Sequence, residues 1–415
     1  MKIADIKSIE ILDSRGNPTL RTFVTLEDKS IHSASVPSGA STGSKEAIEL
    51  RDNDSARYAG KGVLKAIQNV NTTIRDALLG KDADPKAIDQ ALLELDGTQN
   101  KEKLGANAIL SVSMATTRAT AHTENKPLWQ FLNEYYFSTS DKRLAPRFPR
   151  LMVNVINGGV HASWNFDFQE FMIVPNAANP SDSIRIAAEI FHSLGKLLKE
   201  KGLSTLVGDE GGYSPLLDSN EQAFEIIVVA AKKAGYENVK DFRLSIDAAS
   251  SEFFKDGIYT LDASPLNASQ LTEYYSEIGQ RFKILSFEDA FAEDDFIAHK
   301  RFTQMAKDFD FTTIGDDLFC TNPALLEQGI SDNWANGILI KLNQIGTVTE
   351  TATAINMAKK ANWKVAISHR SGETEDNFIA DLSYACAADF LKSGSMSRSE
   401  RLSKYNRLLE IECNL

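Results

Sequence analysis

The chain contains the stretch LSID at Leu244–Asp247, a short hydrophobic run that ends in a carboxylate. Three later hydrophobic runs also end in a charged residue, the carboxylates Glu288 and Asp316 and the amine Lys341, and the four charged residues are 41, 28 and 25 residues apart. Each interval is long enough for one strand, one helix and two turns, which is the repeat of a parallel β/α barrel. The pattern therefore predicts a barrel whose carboxyl-end rim collects three carboxylates and one amine.

Length and composition allow a barrel together with a second domain. The chain has 415 residues, of which 42% are hydrophobic and 25% are charged, an ordinary globular composition. A polar segment with two prolines, Ser138–Arg150, is interpreted as the linker. We therefore predict an α+β N-terminal domain over residues 1–137 and a β/α barrel over residues 138–415.

The N-terminal domain is predicted to consist of strands followed by helices, which is typical of an α+β unit. A turn at Arg15–Pro18 separates the first two strands. The predicted strands and helices are Ile6–Leu12, Thr19–Leu26 and Ser30–Val36, followed by Val63–Leu79, Pro85–Leu95 and Ala106–His122.

After the linker, strands and helices alternate to the end of the chain. Besides the four runs above, strands are predicted at Leu151–Ile156, Phe171–Val174 and, as the last one, Trp363–Ser368. Helices are predicted at Ile184–Leu198, Phe224–Lys233, Ala268–Ile278, Phe296–Ala306, from Pro323, from Thr347 to Ala361, Asp376–Leu391 and Arg398–Leu409. An open doubly wound sheet is the competing fold, but Gly158-Gly159 is too short for the glycine-rich phosphate turn that such a fold places after its first strand.

Charge and hydropathy exclude several classes of function. The formal net charge is −12 and no basic stripe is found, which argues against nucleic-acid binding. The longest apolar run, Ile226–Ala231, is too short to cross a bilayer, and the N-terminus has no signal-peptide core. We expect a cytoplasmic protein, in which Cys320, Cys386 and Cys413 are reduced because no metal or disulfide spacing relates them.

The three rim carboxylates, Asp247, Glu288 and Asp316, are candidate metal ligands. One carboxylate at the end of a strand is usually a harmless cap. Three of them in successive units, followed by a lysine, favour a site for a hard divalent cation such as Mg²⁺, which prefers carboxylate oxygens.

Lys341 is the candidate base. It lies in an apolar stretch between Ile340 and Leu342. A lysine that is buried or close to other cations has a depressed pKa and can accept a proton near neutral pH. The alternative is a structural lysine whose stem packs on the barrel and whose amine reaches water.

Other candidates lie in loops. Glu210 sits in the acidic glycine turn Gly208–Gly212 and could present a carboxylic acid, although such turns are common on surfaces. The small-residue loop Pro37–Gly43 suits either a mobile lid or a plain connection. Arg370 has the planar fork that binds carboxylate or phosphate, and His161 is a lone loop histidine of a kind that is more often structural.

Taken together, these segments resemble the enolase family over nearly the whole chain. The matching pieces occur in the family's order: Asp13–Pro18, Ser38–Gly43, Gly105–Ile109, Gln169–Met172, Gly208–Gly212, Gly315–Phe319, Leu339–Gly346, Ser368–Glu373 and Lys392–Ser395.

The resemblance implies reversible dehydration of 2-phosphoglycerate to phosphoenolpyruvate with two Mg²⁺ ions per active site, in a protein that is at least a homodimer. It implies the following roles: Lys341 as base and Glu210 as acid, with Glu170 and His161 beside them; Asp247, Glu288 and Asp316 on the first metal; Ser41 on the second; Ala40, Gln169, His369, Arg370, Ser371 and Lys392 on the substrate; and Asp317 behind the metal ligands.

Some positions depart from the family pattern. Trp164 stands in a loop that is usually small and glycine-rich, and Ala290 follows Glu288-Asp289 where the family has Gly or Pro. No catalytic group is missing, so two alternatives carry less weight: a related dehydratase acting on a phosphonate analogue, and a barrel with a surface-binding role, including display on the cell surface.

Overall fold

The computed structural model describes residues 1–39, 43–138, 144–159 and 166–415. Its N-terminal part contains an antiparallel sheet in the order β1-β2-β3, covered by helices. The elements are β1 (Ile3–Leu12), β2 (Pro18–Leu26), β3 (Ile31–Ser35), α1 (Leu64–Asn69), α2 (Arg75–Leu78), α3 (Pro85–Asp96), α4 (Ala106–Thr123) and α5 (Leu128–Leu132). A π-helical turn, Val70–Ile74, joins α1 to α2, so the single helix predicted over Val63–Leu79 is present with a local irregularity.

The rest of the chain forms a closed eight-stranded barrel with helices outside it, which confirms the predicted fold class. Its strands are β4 (Arg150–Asn157), β5 (Glu170–Pro175), β6 (Phe242–Asp247), β10 (Ile284–Glu288), β11 (Thr312–Gly315), β12 (Gly337–Ile340), β13 (Lys364–Ser368) and β14 (Phe390–Lys392), and a side sheet consists of β7 (Phe254–Lys255), β8 (Ile258–Leu261) and β9 (Ser264–Leu266). The helices are α6 (Pro180–Glu200), α7 (Asn220–Lys233), α8 (Ala268–Phe282), α9 (Phe296–Phe309), α10 (Pro323–Asp332), α11 (Leu342–Ile345), α12 (Val348–Lys360), α13 (Phe378–Ala385) and α14 (Ser399–Cys413).

The spacing had predicted a parallel barrel, but one of the eight strands runs antiparallel to its neighbours. β5 pairs antiparallel with both β4 and β6, whereas the other neighbours pair parallel. Only the twelve residues 158–169 separate β4 from β5, which is the lower limit for a crossover that returns the chain to the starting end of a parallel strand. Because β5 runs in reverse, its first residue, Glu170, lies at the rim where the other strands end, opposite Asp247.

The eighth strand was missed in the sequence. A helix was predicted over Asp376–Leu391, with Trp363–Ser368 as the last strand; the helix is present but shorter, and Trp363–Ser368 is not the last strand. α13 ends at Ala385, Ala387 takes a left-handed backbone conformation (φ 50°), and β14 then closes the barrel between β13 and β4. Strand β14 is three residues long and fully buried, so its sequence has no alternation that distinguishes it from a buried helix.

Two predicted helix starts are confirmed by their caps. The Asn322 side chain accepts from the amide of Ala324, with proline in the first turn, and the Thr347 side chain accepts from the amide of Glu350. These hydrogen bonds satisfy amide groups that have no partner within the helix.

Helix α4 connects the two parts of the molecule. It is buried along almost its whole length and packs on β2 and β3 on one side and on α11 and α12 of the barrel on the other. Ser113 of α4 accepts a hydrogen bond of 3.0 Å from the amide of Val348 at the start of α12. Its many Ala, Ser and Thr residues allow this close approach from both sides.

Two further findings concern the whole described chain. Its cysteines are free, with Cys320 and Cys386 buried and Cys413 exposed, as expected from their spacing. Among the residues that the structure describes, no helix is both long enough and apolar enough to cross a membrane.

Candidate active site

One narrow cavity at the carboxyl ends of the parallel strands gathers most of the candidate residues. It is lined by Gln169, Glu170, Glu210, Asp247, Lys341, Ser368, His369, Arg370, Ser371 and Lys392. The strand ends bring these residues together because all parallel strands finish at the same rim and β5 begins there. Residues that are far apart in the sequence therefore share one buried space.

Lys392 lies at the centre of a carboxylate cluster. Its ammonium contacts Glu288 at 2.8 Å, Asp247 at 3.0 Å and Glu170 at 3.1 Å, and its side chain is only 2% exposed. Burial raises the pKa of Glu170 and Glu288 well above the usual value, and neighbouring carboxylates act in the same direction. The ammonium of Lys392 opposes both effects, so a cation inside the cluster favours the charged carboxylates.

Lys341 forms an ion pair with Asp316. Burial lowers the pKa of Lys341, but the Asp316 carboxylate outweighs burial and raises the pKa above its usual value. The depressed pKa expected from the apolar neighbours is therefore wrong for this arrangement, since the sequence does not reveal the facing carboxylate. The pair with Asp316 therefore favours the charged form of this candidate base.

Asp316 is held from a second side as well. Its Oδ1 accepts a hydrogen bond of 2.8 Å from Gln344, and its backbone amide donates to Asp289 at 2.9 Å. The amide of Asp317 donates to the other oxygen of Asp289 at 2.8 Å, so one buried carboxylate fixes the turn after β11. Burial and the Asp316 carboxylate raise the pKa of Asp317 to about 7.

Glu210 is positioned by close backbone packing. Its carbonyl accepts from the amide of Ser395 at 2.9 Å, and the Gly211 carbonyl accepts from the Ser397 hydroxyl at 2.7 Å. Gly211 has φ +87°, and a Cβ there would lie 2.7 Å from the Ser397 carbonyl oxygen, so only glycine fits. Glu210 is only 3% exposed, and its carboxylate accepts a hydrogen bond of 3.2 Å from Asn154.

The protonation of His369 follows from its neighbour. Arg401 lies 2.6 Å from Nδ1 of His369, and because arginine only donates, Nδ1 is the acceptor and Nε2 carries the proton. Nε2 then faces Glu210 Oε2 at 3.6 Å. Burial lowers the pKa of His369 well below its usual value, so the ring is neutral.

Arg401 also ties the loops of the site together. It is fully buried and donates to the carbonyls of Asp209 at 3.0 Å and Arg370 at 2.6 Å and to that of Ser371. One guanidinium therefore joins the Glu210 turn to the segment after β13. Arg401 was not among the predicted site residues; a basic side chain among the apolar positions of the last helix was the available signal.

The N-terminal part contributes a carboxylate that the sequence did not indicate. Glu46 pairs with Arg370 at 2.9 Å, and both side chains are less than a tenth exposed. Arg370 also donates to Asn343 at 2.9 Å, and Glu46 accepts from Gln344 at 3.3 Å. Glu46 had no detectable signal because it lies in a loop whose position depends on docking of the two parts.

Three candidates lie outside the described residues: Ala40, Ser41 and His161. Trp164, the departure noted above, does so too. Gly39, which directly precedes Ala40 in the sequence, is described, and its carbonyl accepts a hydrogen bond of 2.9 Å from Arg15.

The donor set fits a hard divalent cation. Within the described residues, groups with ligand atoms mutually within 4.8 Å are Glu170–Glu210–His369 and Asp289–Asp316–Asp317. The predicted trio is instead shared between two lysines, Asp247 and Glu288 on Lys392 and Asp316 on Lys341. Oε1 of Gln169 and Oε2 of Glu170 are buried without a hydrogen-bond partner among the described residues, which is a position suited to a cation or a bound donor.

The fold and the site define a class: a β/α barrel protein with an α+β N-terminal domain and paired ionisable groups at the carboxyl-end mouth. Two family models match the chain, one described as "Enolase, N-terminal domain" over residues 3–132 and one described as "Enolase, C-terminal TIM barrel domain" over residues 146–415. The chain belongs to the enolase family. This membership supports a lyase of the dehydratase type, and the acidic groups of the site could bind the metal on which the family typically depends.

Proposed function

We propose that this protein is a phosphopyruvate hydratase, which dehydrates 2-phosphoglycerate reversibly to phosphoenolpyruvate and depends on Mg²⁺. The observation that carries the proposal is the shared cavity in which Lys341 and Glu210, from different parts of the barrel, face a common space lined by Arg370, Ser371 and Lys392. A base and an acid on separate elements suit a reaction that removes a proton from one carbon and hydroxide from the next.

Lys341 takes the proton from the carbon next to the substrate carboxylate. The pair with Asp316 favours the charged amine, and a divalent cation held by Asp316 would weaken this pair and favour the neutral form that accepts a proton. The backbone amide of Lys341 donates a hydrogen bond of 2.9 Å to the hydroxyl of Thr321, and this bond holds the end of the strand in place.

Glu210 delivers a proton to the departing hydroxide. It must be a neutral acid at that step, and its side chain is buried beside the neutral His369 ring. Asn154 and His369 Nε2 orient the carboxyl group toward the cavity.

Arg370, Ser371 and Lys392 bind the anionic substrate. The guanidinium of Arg370, which Glu46 holds in the structure, would donate to phosphate, and Lys392 supplies a buried positive charge next to the carboxylate cluster. Asp247, Glu288 and Asp316 would hold Mg²⁺, which supplies electrostatic stabilisation of the charge that develops on the substrate carboxylate. As parts of the same proposal, a second Mg²⁺ binds with help from Ser41, the protein acts in the cytoplasm, and it assembles as a homodimer or larger homo-oligomer.

The test is formation of the enol phosphate from 2-phosphoglycerate, followed by ultraviolet absorbance with Mg²⁺ and again after addition of EDTA. We expect turnover that stops with EDTA and returns with excess Mg²⁺. Purified protein that is saturated with Mg²⁺ and leaves 2-phosphoglycerate unchanged would overturn the proposal. Light scattering on the same sample checks the assembly.

A further inference from the structure

A second cavity lies at the opposite, amino-terminal end of the barrel. Its volume is about 740 Å³, and its lining comes from the beginnings of the parallel strands and from the segment after the reversed strand β5. Arg150 opens β4 and Lys364 opens β13, while Ala177 follows β5. The cavity is therefore separate from the candidate active site, which lies at the other ends of the same strands.

The ionic side chains of this cavity are mostly positive. Four cations line it, Arg147, Arg150, Lys307 and Lys364, against two carboxylates, Asp310 and Asp389. The chain as a whole carries a formal charge of −12, so an excess of cations in one concave surface departs from the average. Such a surface attracts anions locally.

The carboxylates leave part of this charge uncompensated. Asp389 pairs with Lys364 at 3.0 Å and with Arg147 at 3.5 Å. Asp310 lies 3.5 Å from Arg243, and its side chain is 96% exposed. Among the described residues neither carboxylate forms an ion pair with Arg150 or Lys307.

Arg150 is the most unusual of these groups. Its Nε is buried without a hydrogen-bond partner among the described residues, and its terminal nitrogen reaches only the Val174 carbonyl at 3.4 Å. Burial lowers the pKa of this guanidinium, and the neighbouring Arg243 lowers it further. A half-buried guanidinium next to a second one is electrostatically unfavourable until an anion binds.

Two other arginines that are largely removed from solvent each face a carboxylate. Arg118 faces Asp376 at 2.6 Å, and Arg370 faces Glu46 at 2.9 Å. In both cases the carboxylate raises the pKa of the guanidinium. Arg150 differs because the position of its counter-ion is taken by the open space of the cavity.

The remaining lining is apolar or carries amides. Phe148, Leu285 and Phe311 supply hydrophobic surface, and Asn336 and Asn362 supply hydrogen-bonding groups. The cavity is large enough for a small organic molecule rather than for a single inorganic ion.

We propose that this amino-terminal cavity binds a small organic phosphate, whose phosphate group contacts Arg150, Lys307 and Lys364 and whose organic part packs on Phe148 and Leu285. Arginine and lysine bind phosphate through charge-assisted hydrogen bonds, and the apolar surface adds affinity for the attached group. This site is independent of the dehydration reaction proposed above.

The probe is phenyl phosphate, titrated calorimetrically into the full chain in EDTA and about 0.15 M salt. We expect one binding event in the wild type and binding at least about tenfold weaker in Arg150→Gln, because the buried donor is lost. Lys307→Gln removes an exposed charge on the last turn of α9 and is expected to weaken binding about threefold. This second variant tests the proposal independently if Arg150→Gln does not fold.

Two controls identify the site. Arg75→Gln removes the same charge from α2 in the N-terminal part and should leave binding unchanged. Arg370→Gln changes the candidate active site and should leave most of the binding intact, while Arg150→Gln should retain turnover within about twofold. Absence of binding at about 10 mM probe, wild-type affinity in both cavity variants, or loss of binding in Arg75→Gln or Arg370→Gln would each overturn the proposal.

Discussion

Two neighbouring layers inside the barrel have opposite character although they belong to the same strands. At three strand ends an apolar residue and a charged residue lie two positions apart. The pairs are Leu339 and Lys341 at β12, Ile314 and Asp316 at β11, and Phe390 and Lys392 at β14. Alternate residues of a strand point to the same face, so each pair projects into the barrel. The first member of each pair belongs to one apolar cluster, together with Met152, Met172, Val174 and Ala366.

The difference shows how the barrel supports a charged site. The apolar layer holds the strands together and keeps water away from below, and the ionic layer above it consists of carboxylates and lysines that compensate one another. Low polarity beneath the charges strengthens every interaction among them, and it also raises the cost of leaving one charge without a partner.

Removing the amine from the ionic layer should have the largest effect on activity. Lys341→Ala is expected to abolish exchange of the substrate α-proton with solvent and to reduce turnover by at least about a thousandfold, because the proposed base is lost. Exchange is measured by deuterium incorporation into 2-phosphoglycerate. Wild-type exchange in a folded variant would refute the role of Lys341.

Changing the acid should separate the two halves of the reaction. Glu210→Gln keeps the size of the side chain but cannot deliver a proton, so exchange should persist while turnover falls about a hundredfold or more. Both rates are measured on one preparation, with circular dichroism as a check on folding. Equal loss of exchange and turnover would contradict the assignment of separate roles to Glu210 and Lys341.

The apolar layer should respond in stability instead. Leu339→Ala removes a fully buried side chain two residues from Lys341 and should cost about 2–5 kcal/mol of unfolding free energy. Urea unfolding measures the cost, and turnover per folded molecule should change far less than in Lys341→Ala. If both variants lose activity equally at a temperature where both are folded, the two layers do not have separate tasks.

A buried carboxylate outside the rim extends the comparison. Asp89 of α3 is 1% exposed, and its Oδ2 accepts a 3.0 Å hydrogen bond from the amide of Thr349 in α12. Burial raises its pKa to about 6, and the hydrogen bonds from Ser113 and Thr349 oppose this only in part. The folded-state pKa is raised from 3.8 to about 6. The protonated carboxyl group therefore contributes its full stabilisation below pH 3.8, and this stabilisation is lost as the pH rises through about 6.

Asp89→Asn should therefore be more stable than the wild type near neutral pH. The difference in unfolding free energy between variant and wild type should grow by up to about 3 kcal/mol from pH 4 to neutral pH. The amide oxygen of Asn can still accept from Thr349, and the charge is removed. Urea midpoints at roughly pH 4 and pH 7 measure the change. A stability difference that does not vary with pH would mean that Asp89 keeps an ordinary pKa.

Much of the barrel could be predicted from the sequence because a buried strand that ends in a charged residue is a local signal. The runs before Asp247, Glu288, Asp316 and Lys341 have this form, and all end at the rim. Strand β14 could not be predicted in this way, since three buried residues next to a buried helix have no distinguishing period. The reversal of β5 was also missed, because strand direction is set by the connection and by its neighbours.

The sequence by itself determined which chemical groups are available and the order in which the chain delivers them to the rim. Only the tertiary structure decided which charges face one another: Lys341 with Asp316, Lys392 with three carboxylates, Arg370 with Glu46, and Arg150 with an open cavity. The physical reason is that a strand can be predicted from residues that are neighbours in the sequence. The pKa of a buried group depends instead on partners that come from distant parts of the chain.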